Sequence, residues 1–95
     1  MSRRLVLTPG FQRAYRRFAK KNPNHRQRLD EVLSQMQEDV FASSLATHKL
    51  SGNLRHFWAS ACGYDCRIVF SLKIDPDTGQ EILFLINIGT HDEVY

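Results

Sequence analysis

Within five positions at the end of this 95-residue sequence stand a histidine, two carboxylates and an aromatic ring: His91, Asp92, Glu93 and Tyr95. They follow an apolar run, Ile82 to Ile88, that breaks at Gly89. Order normally fades toward a terminus, yet here a strand-like segment delivers a histidine, the side chain best suited to proton transfer near neutral pH. Two further segments carry similar chemistry. His48 and Lys49 precede Leu50-Ser51-Gly52, and Asp65 and Arg67 lie in the stretch Tyr64 to Leu72. Metal-free RNA cleavage needs a base for the 2′-OH proton, an acid for the leaving 5′ oxygen and a cation for the phosphorane charge. His48, His91, Arg67 and Lys49 meet those needs, Asp65 can orient a histidine and fix its tautomer, and Tyr95 can stack on a base. The same residues also have plainer uses: His91 as a surface residue, His48 as a loop cap, Asp65 and Arg67 as an ion pair. His56 falls in a predicted strand and packs or faces solvent.

Cys62 and Cys66 are the only cysteines. Four positions apart around Gly63-Tyr64, they can close a strained hairpin disulfide, but two free thiols are expected in a cytoplasmic chain. The C-x3-C spacing is a poor zinc signature, so no metal site and no cofactor are expected. No apolar run approaches the ~18–20 residues of a membrane span. Basic Met1-Ser2-Arg3-Arg4 is followed by Leu5-Val6-Leu7, too short for a signal-peptide core. A cytoplasmic protein without membrane contact is the expectation.

The net charge of +3 is unevenly spread. Residues 1–40 hold nine basic and four acidic side chains, and residues 41–95 hold four basic and six acidic. Arg13, Arg16, Arg17, Lys20 and Lys21 lie close together in the basic part. Such a surface suits a polyanion, RNA above all, or an acidic protein; its plainer reading is a solvated helix face.

The periodicity supplies the elements that position these groups. Arg4 to Leu7 reads as a strand. Thr8-Pro9 is a helix start, and Phe11, Ala14, Tyr15, Phe18 and Ala19 keep helical spacing. Asn22-Pro23 ends that helix and caps the next, whose stripe is Leu29, Val32, Leu33, Met36 and Val40. Residues 41–53 read as a loop. Strands are predicted near 54–60 and over Tyr64 to Leu72, with Asp65 and Arg67 on the face away from Cys66, Ile68 and Phe70. Asp75-Pro76-Asp77-Thr78-Gly79 is a hairpin turn. Glu81 to Ile88, apolar on both faces, is read as the central strand. The order β-α-α-β-β-β predicts a single α+β domain over residues 1–95, an antiparallel meander with a helical hairpin on one face.

Three segments, His48-Lys49-Leu50-Ser51-Gly52, Tyr64-Asp65-Cys66-Arg67-Ile68-Val69-Phe70 and Ile88-Gly89-Thr90-His91-Asp92-Glu93-Val94-Tyr95, resemble the RelE/ParE toxin superfamily, and within it the YafQ-type mRNA interferases. The resemblance extends over nearly the whole chain and implies that fold. It also implies a type II toxin that cuts mRNA in the ribosomal A site, held by an acidic antitoxin and reaching operator DNA only through it. His91 and His48 fall on that branch's tail and loop histidines, Asp65 on its strand aspartate, Tyr95 on its terminal aromatic, and Arg67 on the superfamily arginine. One departure stands out: Ala61 occupies the place of a further histidine. Two alternatives share the fold, a ParE-like inhibitor of DNA gyrase, against which His48 and His91 argue, and an inactive toxin serving as co-repressor with its antitoxin.

Overall fold

Thr8 starts the first helix as its side chain predicts: Oγ1 accepts the Phe11 N–H at 3.2 Å, with Pro9 in the first turn. In the computed structural model, which describes residues 3–95, that helix is α1 (Pro9–Lys21), preceded by β1 (Arg4–Leu7). Met1 and Ser2, the start of the basic N-terminal stretch, lie outside the described residues. The Asn22 side chain ends α1 by donating from Nδ2 to the Phe18 carbonyl at 3.0 Å, and it does not cap the next element. A 3-10 turn over Pro23–His25 leads instead into α2 (Arg26–Asp39).

The expected loop 41–53 is more structured than its composition suggests. It holds two 3-10 turns, Ser43–Leu45 and Gly52–Leu54, and between them a two-residue strand, β2 (His48–Lys49). Thr47 supports it from below, with its hydroxyl 2.7 Å from that of buried Ser60. The strand predicted near 54–60 begins later, as β3 (Trp58–Gly63). Leu54 belongs to a turn, closed by the Phe57 N–H on the Leu54 carbonyl at 2.9 Å. β4 (Cys66–Ile74) and β5 (Glu81–Gly89) come next, and His91–Val94 closes the chain as one helical turn, α3.

The five strands order as β1-β5-β4-β3-β2. Two expectations are corrected. The sheet is not wholly an antiparallel meander, because β1 runs parallel to β5, Arg4 opposite Ile82 and Leu7 opposite Leu85. The central strand is β4; β5 is interior, flanked by β1 and β4, which accounts for its two apolar faces. Phe11, Phe18, Leu29 and Met36 from the helices bury against Ile68, Phe70, Leu83 and Leu85 of the sheet. A register shift between Val69 and Phe70 gives β5 one extra residue against β4, so Ile88 joins the same core as Leu83 and Leu85 despite the odd spacing.

A third correction concerns the cysteines. Cys62 and Cys66 are joined in a disulfide, and both are buried. The register shift between Ala61 and Gly63 sets their Cα atoms 4.9 Å apart, within the bridging range. Thiolate ligation is thereby removed, and among the described residues no three His, Cys, Asp or Glu side chains form a metal-ligand set. Among them, too, no helix is long and apolar enough to cross a membrane.

Candidate functional site

Residues directly opposite in neighbouring strands share a face, so the register places the site. His48 lies opposite Ala59, Ala59 opposite Val69, and Val69 opposite Asn87. Ala61 lies opposite Arg67, and Arg67 opposite Gly89. His48, Arg67 and the root of the C-terminal turn therefore sit on the face that α1 and α2 leave uncovered.

Gly89 lets the chain fold back there. A Cβ at this position would come within 3.0 Å of Glu93 Oε1 and 3.1 Å of Glu93 Cβ, so a larger residue would push α3 off the sheet. Thr90 and Glu93 close a reciprocal cap: Glu93 Oε1 accepts the Thr90 N–H at 2.8 Å, and Thr90 Oγ1 accepts the Glu93 N–H at 3.4 Å. The Thr90 backbone N–H, the largest cause, and the Thr90 hydroxyl hold the Glu93 carboxyl below its ordinary range. The His91 N–H donates to Asp65 Oδ1 at 3.0 Å. The free N–H groups of this short turn thus find side-chain partners, and the tail is held in place.

Asp65 does not do what the sequence suggests. It is not on a strand, because β4 begins at Cys66 and Tyr64-Asp65 form the tip of the β3–β4 hairpin. Its carboxylate binds the His91 backbone and not the ring. The carboxylate nearest that ring belongs to Asp92, whose Oδ1 lies 3.5 Å from Nδ1, a long contact between exposed groups. Arg67 is half-buried and braces the same tip, donating from Nη1 to the carbonyls of Cys66 at 2.8 Å, Gly63 at 3.2 Å and Tyr64 at 3.5 Å. All three bonds fall on Nη1, which leaves Nη2 and Nε outside this network.

Tyr95 joins the two halves of the site. Its ring meets that of His91 edge to face, with centroids 4.6 Å apart. It also walls a recess of about 340 Å³ with His48, Lys49, Leu50, Ser51 and Leu54. Partial burial raises the Tyr95 phenol above its ordinary pKa, while the Arg67 charge acts in the opposite direction. His48 Nδ1 lies 3.1 Å from the Ala46 carbonyl. A carbonyl only accepts, so that bond puts the proton of a neutral ring on Nδ1 and leaves Nε2 with a lone pair.

The cations of α1 are all exposed, but they do not form one patch. Arg17 and Lys21 line a groove of about 470 Å³ against Asn87 of β5 and Thr90 and Glu93 of the tail. Arg16 lies on another flank, beside Leu7, Tyr15, Asp30 and Leu33. His56 is exposed, and Trp58 packs on Phe41 edge to face at 5.3 Å.

Sequence reasoning passed over His25, which packs edge to face on Phe18 at 5.9 Å and lies beside Gly63. It also missed the anchored state of the tail. That signal was present, since Thr90 and Glu93 stand at capping-box spacing.

Several solved structures have this architecture. YafQ from E. coli strain BL21(DE3) superposes with a TM-score of 0.78 at 13% identity, over 98% of each chain. A copper-bound mutant toxin from Helicobacter pylori gives 0.76 at 22% identity over the full length of both. The E. coli DinJ–YafQ toxin–antitoxin complex gives 0.72 at 12% identity, covering 100% of this chain and 99% of that one. No family model and no curated protein sequence matches the chain. The chain has the RelE-like α+β fold, as its sequence motifs imply.

Proposed function

We propose that this chain, acting as a single domain over residues 1–95, is the toxin of a type II toxin–antitoxin pair and cleaves mRNA on the ribosome. The observation that carries this reading is the convergence on Tyr95: His91 packs on its ring, His48 and Lys49 share its recess, and the Arg67 charge reaches its phenol. In this reading His48 Nε2 takes the 2′-OH proton, and the oxygen attacks the adjacent phosphorus. His91 protonates the departing 5′ oxygen, giving a cyclic phosphate and a 5′-OH. Arg67 and Lys49 stabilise the charge on the phosphorane. Asp65 acts as a positioning residue through the His91 backbone. Tyr95 packs against a base, and Arg17 and Lys21 attract the RNA backbone beside the tail, with Arg13, Arg16 and Lys20 adding a diffuse field.

The structural likeness to a toxin–antitoxin complex supports an antitoxin as partner, the exposed cations of α1 favour an acidic one, and cleavage on the ribosome puts the site of action in the cytoplasm. The test is expression of the chain and its His91→Ala variant in a cell-free translation system with primer extension on the message. The variant is expected to lose on the order of 10²–10⁴ in cleavage rate. Full cleavage by the variant removes His91 from the chemistry. Loss of DNA supercoiling with intact messages would instead indicate gyrase inhibition.

A further inference from the structure

Tyr64 is 99% exposed, while almost everything around it is fixed. At the root of its turn the Cys62–Cys66 disulfide ties the two strands together. Arg67 binds the carbonyls of Gly63, Tyr64 and Cys66 from within. Asp65, the next residue, is hydrogen-bonded to the tail. Gly63 adopts φ +146, and any Cβ there would sit 3.3 Å from His25 Nε2. A tip so constrained presents its aromatic ring with a fixed backbone, and tyrosine has few side-chain torsions to order on binding.

Tyr64 also borders a groove. About 420 Å³ of space opens between the hairpin, α2 and the Ser43–Leu45 turn, rimmed by Arg28, Glu31, Gln35 and Ser44 together with Tyr64. Buried Val32 and Leu45 supply the apolar part of its lining. An aromatic side chain beside a mostly polar groove, with guanidinium, carboxylate and amide groups on its rim, matches a nucleobase, whose faces stack and whose edges donate and accept hydrogen bonds.

We propose that Tyr64 is a stacking platform for an unpaired base of the message next to the cut, and that Arg28, Glu31 and Gln35 at the adjoining groove discriminate which base is accepted. The proposal rests on the ribonuclease reading, because the same tip carries Asp65, which holds the tail at His91, and is braced by Arg67 of that site. It assigns base selection to a part of the molecule separate from the recess of His48 and Tyr95.

The experiment uses ribosomes programmed with messages that differ only in the bases flanking the cut, read by primer extension, for the native chain, Tyr64→Phe and Tyr64→Ala. The Phe variant is expected to keep the native base preference and KM. The Ala variant is expected to raise KM about 5- to 160-fold, the range of base–aromatic stacking, to flatten the preference and to leave kcat and the melting temperature unchanged. An Ala variant with native preference and native KM overturns the proposal while the ribonuclease reading stands. If the native chain cuts nothing, that reading fails, and anisotropy of a fluorescein-labelled RNA decamer decides for Tyr64: binding that falls in the Ala variant and holds in the Phe variant upholds the platform, and binding independent of Tyr64, or none, overturns it. Loss of antitoxin binding in the Ala variant with RNA readouts unchanged assigns the tip to the partner protein and also overturns the proposal.

Discussion

The two hairpin turns of the sheet are built in opposite ways. The β4–β5 turn holds itself: Asp75 Oδ1 accepts the Asp77 N–H at 2.8 Å, the Gly79 N–H reaches the Asp75 carbonyl at 2.8 Å, and Gly79 supplies φ +74 with open space around it. Every contact is local, and the tip faces solvent. The β3–β4 turn is held from outside, by a cross-link at its root, by Arg67 from β4, by His25 beside Gly63 and by the tail at Asp65. A self-sufficient turn only connects strands. A turn held by distant residues transmits their positions, and here it links Arg67, Asp65, His91 and Tyr95.

The largest expected difference between the two is in activity. Arg67→Ala removes the brace and, in the proposed mechanism, a cation for the phosphorane, and cleavage is expected to fall roughly 10²–10³-fold, the loss typical of one transition-state donor. Asp75→Ala in the other turn is expected to leave cleavage unchanged, so single-turnover rates on programmed ribosomes test the contrast. Next come the glycines. Gly63→Ala forces a side chain onto φ +146 against His25, costing about 2–3 kcal/mol. Gly79→Ala meets nothing within 4 Å and costs about 1–2 kcal/mol for its left-handed backbone. Thermal unfolding should rank them in that order, and equal losses would remove the distinction between the two turns.

Asp65→Ala is expected to cost about tenfold in cleavage, in the range of one hydrogen bond to a charged acceptor, with little change in melting temperature. Asp65→Asn keeps an acceptor oxygen for the His91 N–H and should retain most of the rate. The smallest effect concerns pH. The Thr90 N–H and hydroxyl lower the folded Glu93 pKa below its ordinary 4.5. The contribution of this carboxylate to α3 is therefore full above that ordinary value and is lost as the pH falls through the lower, folded one. Amide NMR of Thr90 and Glu93 from pH 6 downward should show the tail fraying only in that acid window. Fraying near neutrality would sever Glu93 from the tail's order.

The same contrast marks what the sequence could reveal. Asp75-Pro76-Asp77-Thr78-Gly79 was legible because its bonds lie within the pentapeptide, and α1 and α2 were legible because burial imposes a helical period on Phe11, Phe18, Leu29 and Met36. Both β5's role and β1's parallel pairing depend on partners some eighty positions away and leave no local pattern. Of the candidate site, the residue types at 48, 65, 67, 91 and 95 were readable; the structure puts His48 and His91 beside Tyr95 and ties Asp65 to the His91 backbone. Their geometry was not readable: Asp65 grips a backbone N–H of the distant tail, and of the two states open to Cys62 and Cys66 the bridged one goes with a register shift between Ala61 and Gly63 that has no local mark in the sequence.

The parallel pairing of β1 with β5 also governs when the molecule comes into being. Arg4 waits for Ile82, made 78 positions later (82 minus 4), which at about 5–20 residues per second takes roughly 4–16 s of synthesis. Until then Phe11, Leu29 and Met36 have no Leu83 or Leu85 to pack on. The strand that completes the sheet is the one that carries Gly89 and the turn with His91. A nascent chain interrupted before β5 therefore lacks Leu83, Leu85 and Ile88 of the core together with the whole tail.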